Sequence, residues 1–383
     1  MGNAIKPLVQ KIIPAKSSKK GCLTVVGSGI RGVGQISLEA MGWIRRADKV
    51  LYCVADPVTE VWIRKLNPRC EDLYMYYADD KRRIVTYSQM AGRILKFLRE
   101  GLDVCAVFYG HPGIFVMPSH EAIRVARSEG YRACMLPAIS AEDCLFADLG
   151  IDPSRVGCQT LEATDFLLRK RPLCTSSHVL LWQVGCVGDV GFKMSGYDGR
   201  NLGVLLETLQ NIYGRNYKVV LYQAAQYPVC RPSIKSLSLS RITKANVTGL
   251  TTMYIPPKEE LSTNPQIAKR LGLNVVISKK PSIKNRSKNS LIFTPQVVEP
   301  NPPLNYVPTS RQGRLAEFIS DLSCDPRLLA KYLTNPDKTA KTYGNLSDFE
   351  IAELGSRHAG RIRVAVKSGG KPRVICASTK PKR

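Results

Sequence analysis

LTVVGSGIRGVG, residues 23–34, joins an apolar run of four residues to a turn with four glycines. An apolar run that ends in turn-forming residues is typical of a buried strand. Gly27, Gly29 and Gly32 follow the run at the G-x-G-x-x-G spacing of a dinucleotide-binding turn. Because any strand-to-helix turn of an α/β protein favours glycines for the same tight backbone, the stretch predicts the fold class and leaves the ligand open.

The sequence from residue 21 to about residue 138 alternates strand-like and helix-like segments. Apolar runs lie in LTVVGSG, KVLYCVADP, DVCAVFYGHPG and RACMLP. Between the second and third runs, a Tyr-rich loop precedes the segment SQMAGRILKFLREG, whose apolar residues recur on one face of a helix. Four successive strand-and-helix units predict a largely parallel sheet, with ligands bound where strand ends meet loops.

The rest of the chain differs in composition from one region to the next. HVLLWQVG, LGVLLETLQNIYG and YKVVLYQAA indicate a second α/β layer, and a Pro-, Asn-, Ser- and Lys-rich stretch follows it. In that stretch Pro265 suits the first position of a short helix, and further on Ser347 and Glu350 form a capping box. The predicted organisation is a basic flexible arm (1–20), a first α/β domain (21–138), a second α/β domain (139–257), an extended arm (258–310), a helical region (311–366) and a mobile tail (367–383).

The formal net charge of the 383-residue chain is +25, and its distribution matters more than its size. Most of the excess lies in three stretches without a single acidic residue, 1–20, 279–288 and 356–383. Few aromatic residues are interleaved with these charges for base stacking. The pattern favours a solvated basic surface over a dedicated nucleic-acid site, although a basic nucleic-acid-binding scaffold remains the non-enzymatic alternative.

Cysteine and histidine usage points to a reducing compartment and to a protein without a metal. The twelve cysteines form no C-x-x-C pair, and most lie in apolar strings, so we expect free thiols and a cytoplasmic location. The four histidines have no spacing typical of metal ligands. No run approaches the roughly 18 apolar residues of a membrane span.

Two patches, residues 72–87 and 108–115, concentrate the residues that carry chemistry. Together they hold phenols at positions 74, 76, 77, 87 and 109, next to adjacent arginines. Aromatic residues pack well and a loop arginine is often a plain surface charge, so packing is one interpretation. The other interpretation is a catalytic set of phenols and a guanidinium.

Four stretches carry a family resemblance: GHPGIF (110–115), LPAISAEDCLFADLGIDP (136–153), LYMYYADDKRRIVTYSQM (73–90) and LWQVGCVG (181–188). They resemble the fungal peptide α-N-methyltransferases called borosins, which have the tetrapyrrole methylase fold. The resemblance runs from about residue 21 to residue 366. Tetrapyrrole enzymes usually have Asp where this chain has His111, and that difference favours peptide methylation over porphyrin chemistry.

The resemblance implies an α/β fold of two domains with S-adenosyl-L-methionine in the cleft, followed by an extended clasp arm and a C-terminal helical region. It also implies a homodimer with interlocked arms, in which the substrate is the C-terminal peptide of the same chain or of its partner. The catalytic residues that it implies are Tyr77 and Arg83 at the amide, Tyr87 orienting them, Tyr109 shaping the methyl-transfer site, and Tyr74. The cofactor-binding residues that it implies are His111, Gly113, Ile114, Ser140, Ala141 and Gln183.

Methylation of a backbone amide makes specific chemical demands. The nitrogen lone pair is delocalised into the carbonyl group, so the nitrogen must lose its proton as the methyl group arrives. Charge then develops on the amide oxygen, where a guanidinium or phenol donor stabilises it. A phenol whose pKa is lowered from about 10 by a nearby guanidinium is one candidate base, and the sequence leaves open which tyrosine it is. The transfer itself requires positioning and no metal.

The C-terminal tail departs from the family pattern, because family core peptides are apolar and this tail is short and basic. The acceptor candidates within it are Val374, Ile375, Cys376 and Ala377. A separate peptide or another substrate acting in trans is an alternative, as is a tetrapyrrole-methylase relative with a small-molecule or protein side-chain substrate. An NAD enzyme, with Asp56 at the ribose, is the last alternative.

Overall fold

A computed structural model describes residues 21–193, 195–228, 230–273 and 314–369. The strands of its first sheet are β1 (Cys22–Gly27), β2 (Lys49–Cys53), β3 (Cys70–Asp72), β4 (Val104–Phe108) and β5 (Arg132–Met135). They are all parallel, in the order β3-β2-β4-β1-β5, which confirms the predicted parallel sheet. Strand β3 was not predicted because its three residues, CED, carry no apolar pattern.

Helices connect these strands and cover both faces of the sheet. They are α1 (Leu38–Arg46), α2 (Pro57–Leu66), α3 (Arg83–Arg99) and α4 (Met117–Ser128). Alternate strand residues face opposite sides, so Val25 packs in the core that contains α3 and α4, while its neighbour Val26 packs in the core that contains α1 and α2. This double cover explains why the strands are continuous apolar runs rather than alternating ones.

Helix α3 begins earlier than its sequence predicts. Its first residue is Arg83, so Arg83 and Tyr87 lie on the first two turns of a helix and not in a Tyr-rich loop. The N-cap residue Arg82 makes no side-chain cap hydrogen bond. Instead the Arg83 amide donates to the Val190 carbonyl at 3.0 Å. This is a tertiary contact, so no local sequence pattern predicts it.

The second sheet is mixed. Its strands are β6 (Cys158–Glu162), β7 (His178–Trp182), β8 (Lys218–Gln223), β9 (Ser233–Ser238) and β10 (Thr252–Ile255). They lie in the order β6-β7-β10-β8-β9, and only the pair β6–β7 is parallel. Three helices belong to this part of the chain: α5 (Ala141–Leu149), α6 (Ala163–Leu168) and α7 (Leu202–Tyr213). The last of these confirms the predicted helix LGVLLETLQNIYG.

The C-terminal part of the described chain is helical. The helices are α8 (Pro265–Arg270), α9 (Arg314–Cys324), α10 (Pro326–Thr334), α11 (Pro336–Tyr343), α12 (Asp348–Gly355) and α13 (Ala359–Ser368). Pro265 takes the first helical position of α8, and Ser347 and Glu350 form a capping box at α12, both as predicted. Among the described residues no helix is long and apolar enough to cross a membrane. Most of the predicted extended arm and the acceptor candidates Val374, Ile375, Cys376 and Ala377 lie outside the described residues.

Helices α9 to α13 share a core of their own and dock on α1 of the first domain. Gly42 of α1 permits the close approach, because a Cβ atom there would come within 2.5 Å of the Cys324 carbonyl oxygen and 3.1 Å of Pro326 Cδ. An ion pair between Arg46 and Asp325 lies at the same contact. The helical region therefore packs against α1 at Gly42, where the absence of a side chain allows close contact.

Candidate active site

Three loops converge where the strands of the first sheet end. Gly27 closes β1, and a Cβ atom on it would collide with the Gly110 carbonyl oxygen and come within 2.5 Å of Ala138 Cβ and 2.8 Å of Pro112 Cδ. The Gly110 amide donates to the Gly29 carbonyl at 3.0 Å. The loop after β1 and the loop after β4 are therefore joined by a backbone hydrogen bond. The glycines of the opening stretch thus permit loop packing.

The same glycine turn argues against a dinucleotide site. Gln35 Oε1 accepts hydrogen bonds at 2.8 Å from the amides of Ile30 and Arg31, which are the amides that face a phosphate in a dinucleotide turn. Asp56, the residue that the NAD alternative needs for a ribose, instead caps α2 by accepting from the Thr59 amide at 2.9 Å. Both groups are engaged within the protein, so the NAD interpretation is wrong for this turn.

A cavity of about 600 Å³ lies between these loops and the second sheet. Its volume falls within the range of small-molecule sites. The lining residues that the sequence had singled out are Tyr77, Tyr87, Tyr109, His111, Ile114, Ser140, Ala141 and Gln183. Other described lining residues, which the sequence gave no reason to select, include Ile30, Trp182, Tyr222, Gln226 and Arg231.

His111 and Gly113 form a single turn beside this cavity. His111 Nδ1 accepts a hydrogen bond from the Gly113 amide at 3.0 Å, so the neutral ring carries its proton on Nε2. Gly113 does not line the cavity, and a Cβ atom on it would come within 2.8 Å of Met135 Sδ. The imidazole therefore both shapes the loop and presents itself to the cavity.

Ser140, Ala141 and Gln183 reach the cavity from the following loop and from the second sheet. Ser140 caps α5, and its side chain and that of Asp143 form a complete capping box. Ser140 therefore stabilises the start of α5, and it lines the cavity as well. Gln183 and Phe115 have positive φ values of 57°, a conformation that costs free energy in a non-glycine residue.

The predicted catalytic residues divide between two places. A second cavity of about 510 Å³ is lined by Arg83, Tyr87, Phe115, Val116, Met117, His120 and Gln183. It shares the wall residues Tyr87, Phe115, Val116 and Gln183 with the first cavity, so the two cavities are neighbours. Arg83 lines only the second cavity, while Tyr77 and Tyr109 line only the first, and Tyr87 stands at the junction.

Tyr74 differs from the other predicted catalytic residues. Its side chain is 44% exposed and lines neither cavity. Its ring lies 5.1 Å from the Tyr77 ring and 5.9 Å from that of Phe192, and the Tyr77 and Phe192 rings are 4.4 Å apart. Phe192 comes from the second domain and is absent from the sequence-based selection, because its contact with Tyr77 spans more than a hundred residues of chain.

Burial changes the pKa values of two of the candidate phenols. Burial raises the pKa of Tyr77 well above its usual value, and the neighbouring Tyr87 adds to the rise. Burial also raises the pKa of Tyr109 to about 12, although a hydrogen bond with Gln226 acts against the rise. Desolvation disfavours the phenolate in both, so neither has the lowered pKa expected of the base.

The fold and the site define a methylase. Residues 22–231 match the family of tetrapyrrole (corrin/porphyrin) methylases. The chain is 41% identical to the omphalotin A precursor methyltransferase of Omphalotus olearius, over 92% of this chain and 89% of that protein. It is 43% identical to the gymnopeptides precursor methyltransferase of Gymnopus fusipes, over 91% of this chain and 87% of that protein. It is 41% identical to a type I borosin cyclic peptide precursor methyltransferase of Coprinopsis marcescibilis, over 92% of this chain and 94% of that protein. The chain belongs to the borosin methyltransferases of the tetrapyrrole methylase family, which confirms the resemblance.

The larger cavity suits the methyl donor that the family implies. Ile30, Phe108 and Trp182 provide apolar walls for an adenosine group. Gly110, at φ +69°, lines the cavity without a side chain, and a Cβ atom on it would press on Ile30 Cδ1 at 3.2 Å. The loop backbone can therefore approach a ligand closely.

Proposed function

We propose that the protein transfers methyl groups from S-adenosylmethionine to backbone amide nitrogens of its own C-terminal segment. The observation that carries this proposal is that Tyr87 belongs to the walls of both cavities. A cofactor in the first cavity and a peptide in the second would meet at that residue. The relatives are named as methyltransferases and peptide precursors in one chain, which supports the C-terminal segment as the substrate.

The cofactor supplies a methyl group on a sulfonium that leaves as a neutral thioether. His111, Ile114, Ser140, Ala141 and Gln183 would hold it, with Gly113 supporting the turn of His111. Their placement around one cavity supports the roles implied by the family resemblance. Tyr109 closes the same cavity near the methyl-transfer site, and its amide is fixed by a 3.0 Å hydrogen bond to the Cys53 carbonyl.

Arg83, Tyr77 and Tyr87 act on the amide in this proposal. Arg83 lines the second cavity, where its guanidinium would stabilise the charge that grows on the amide oxygen. Tyr87 lines both cavities, and its phenolate form would accept the amide proton as the bond between nitrogen and the methyl carbon forms. Tyr77 is partly buried, neutral and hydrogen-bonded to Tyr87, so it would stabilise that phenolate as a hydrogen-bond donor. Tyr74 holds Tyr77 from outside the cavity through ring contact.

The walls of the second cavity suit an apolar peptide. Phe115 and Met117 are 47% and 45% exposed there. Such walls favour the apolar residues Val374, Ile375, Cys376 and Ala377 over the charged residues around them. A separate apolar peptide offered in trans would satisfy the same walls.

We propose further that the protein acts in the cytoplasm as a homodimer with interlocked arms. Cysteines in the described part of the chain are free thiols, as a reducing compartment maintains them. Exposed apolar side chains on and around α8, among them Leu261 and Leu271, are 79% and 66% exposed and would be covered by a second copy.

The intact mass of the purified protein, before and after incubation with S-adenosylmethionine, tests the proposed function. We expect whole-methyl increments that fragmentation maps to backbone nitrogens between Arg361 and Arg383. Arg83→Ala is expected to lower the rate by at least about 10²-fold, as loss of one oxyanion donor does. Tyr77→Phe is expected to abolish methylation as well, and calorimetry should show nearly unchanged cofactor affinity for both variants.

The matched control is Arg82→Ala, which removes the adjacent, exposed guanidinium. It should methylate at the wild-type rate. Normal methylation by Arg83→Ala and Tyr77→Phe would contradict the assigned roles. An unchanged wild-type mass, with the cofactor bound, would redirect the search to a substrate in trans.

A further inference from the structure

The direction of the Arg83 side chain is set by the second domain, although Arg83 itself belongs to the first. Arg83 is the first residue of α3, where the positive end of the helix dipole disfavours a cation. A long flexible side chain at such a position needs external support to keep one geometry. That support comes from the loop at residues 189–191.

Three consecutive carbonyl groups of this loop contribute. The Asp189 carbonyl accepts a hydrogen bond from Arg83 Nη2. The Val190 carbonyl accepts from the Arg83 amide at 3.0 Å. The Gly191 carbonyl accepts from the Tyr197 hydroxyl at 3.2 Å, and the Tyr197 ring lies 5.8 Å from the Arg83 guanidinium carbon. Arg83 is thus held by two carbonyl groups and rests over one aromatic face.

The segment that leads into this loop, residues 185–188, is closely packed. A Cβ atom on Gly185 would collide with the Thr248 carbonyl oxygen, and one on Gly188, at φ +74°, would come within 2.6 Å of Asn201 Nδ2. Asn201 Nδ2 donates to the Val187 carbonyl at 2.8 Å. This packing fixes the point from which the loop starts.

We infer that Tyr197 is a positioning residue for the proposed reaction, and that its ring and the Asp189 carbonyl group aim the Arg83 guanidinium at the acceptor amide oxygen. This inference rests on the proposed function. Tyr197 lines neither cavity, so it acts through Arg83 and does not touch the substrate.

The first experiment compares Tyr197→Leu with Tyr197→Phe in single-turnover methylation. Displacing a catalytic group by about 1 Å costs on the order of 10²-fold in rate, and we expect a loss of that size for Tyr197→Leu. Tyr197→Phe keeps the ring and should stay within a few-fold of wild type. Cofactor affinity should be unchanged in both. If Tyr197→Leu does not fold, Tyr197→Met takes its place in the comparison. Methionine also lacks the aromatic face, so we expect the same loss of methylation rate.

A double-mutant cycle separates positioning from general damage. In an Arg83→Lys background, Tyr197→Leu should cost little further rate, because the guanidinium that it aims is already gone. An equal loss in both backgrounds would overturn the inference. The matched control is Tyr217→Phe, which removes a hydroxyl that donates to the Pro256 carbonyl at 2.9 Å in the same domain, away from Arg83, and should leave the rate unchanged.

A second readout does not depend on activity. The Nε–H resonance of Arg83, assigned from its loss in Arg83→Lys, should carry a ring-current shift that disappears in Tyr197→Leu and persists in Tyr197→Phe. If this shift behaves as expected while wild-type protein shows no methylation, the proposed function fails and the ring contact stands. If methylation occurs but the Arg83 resonance has the same shift in Tyr197→Leu as in wild type, the positioning inference fails and the proposed function stands.

Discussion

Gly27 determines whether the loops around the cofactor cavity can close. Three neighbouring groups, from Gly110, Pro112 and Ala138, occupy the space that a side chain at this position would need. Two of these three residues belong to the loop that carries His111. A single methyl group at residue 27 would therefore disturb the cavity as well as the strand end.

We predict that Gly27→Ala lowers the free energy of unfolding by about 1–3 kcal/mol, because overpacking forces backbone shifts. Cofactor affinity should fall with it. Denaturant unfolding and calorimetry measure the two effects. Gly34→Ala is the matched control within the same glycine-rich stretch, since a Cβ atom there meets nothing within 4 Å. Equal behaviour of the two variants would contradict the close-packing account of the opening motif.

At this scale the sequence supplied most of the candidate residues around the larger cavity, including His111, Ser140 and Gln183. It did so through a family resemblance that residue types and spacing support. It could not supply Phe192 or Tyr197, because their partners Tyr77 and Arg83 lie more than a hundred positions away. It also could not show that desolvation raises the pKa values of Tyr77 and Tyr109, because burial is decided by the fold.

The contact of α1 with α9 and α10 is the main feature at the scale of elements. Gly42 removes the side chain at the closest point of approach, and the ion pair between Arg46 and Asp325 lies beside it. The helical region, which is expected to lead the C-terminal peptide toward the active site, is thereby attached to the methylase domain.

We predict that Gly42→Ala loosens this attachment, because a Cβ atom would come within 2.5 Å of the Cys324 carbonyl oxygen. Limited proteolysis should then cleave before α9 faster than in wild type, while cofactor affinity is unchanged. Gly92→Ala in α3 is the control, since Gly92 is exposed and its Cβ atom would meet nothing. That change should stabilise the protein by about 0.5–1 kcal/mol. Unaltered proteolysis of Gly42→Ala would show that the close approach is not required for docking.

The sequence predicted the elements well where apolar periodicity was strong and poorly where tertiary contacts set the boundary. Helix α7 and the strands β1, β2 and β4 are strongly apolar, and the sequence predicted all of them. Strand β9, SIKSLS, was not predicted because it is a polar edge strand whose pairing with β8 defines it. The start of α3 was missed because a distant carbonyl caps it.

At the scale of the whole molecule, the proposed dimer raises the question of which active site serves which tail. A full-length Arg83→Ala chain, co-expressed with a chain that ends at residue 369, gives a direct test. The first has a tail and no working guanidinium, and the second has the guanidinium and no tail. Affinity tags of two kinds isolate the mixed dimer.

We predict methyl groups on the tail of the Arg83→Ala chain in the mixed dimer, because interlocked arms bring that tail to the partner's site. The same chain expressed alone should remain unmodified. Mass spectrometry of the C-terminal peptide measures both. An unmodified tail in a verified mixed dimer would mean that each site serves its own tail or that this tail is not the substrate.

The sequence by itself determined the α/β class, the parallel first sheet and the family, and through the family resemblance it indicated some of the residues around the larger cavity. The fold class follows from local periodicity and turn chemistry and the resemblance from short motifs, which are properties of neighbouring residues. Only the tertiary structure decided that Arg83 opens a helix, that the 189–191 loop and Tyr197 hold it, and that burial keeps Tyr77 neutral. These features depend on desolvation and on contacts between segments far apart in the chain. Neither can be predicted from a local stretch of sequence.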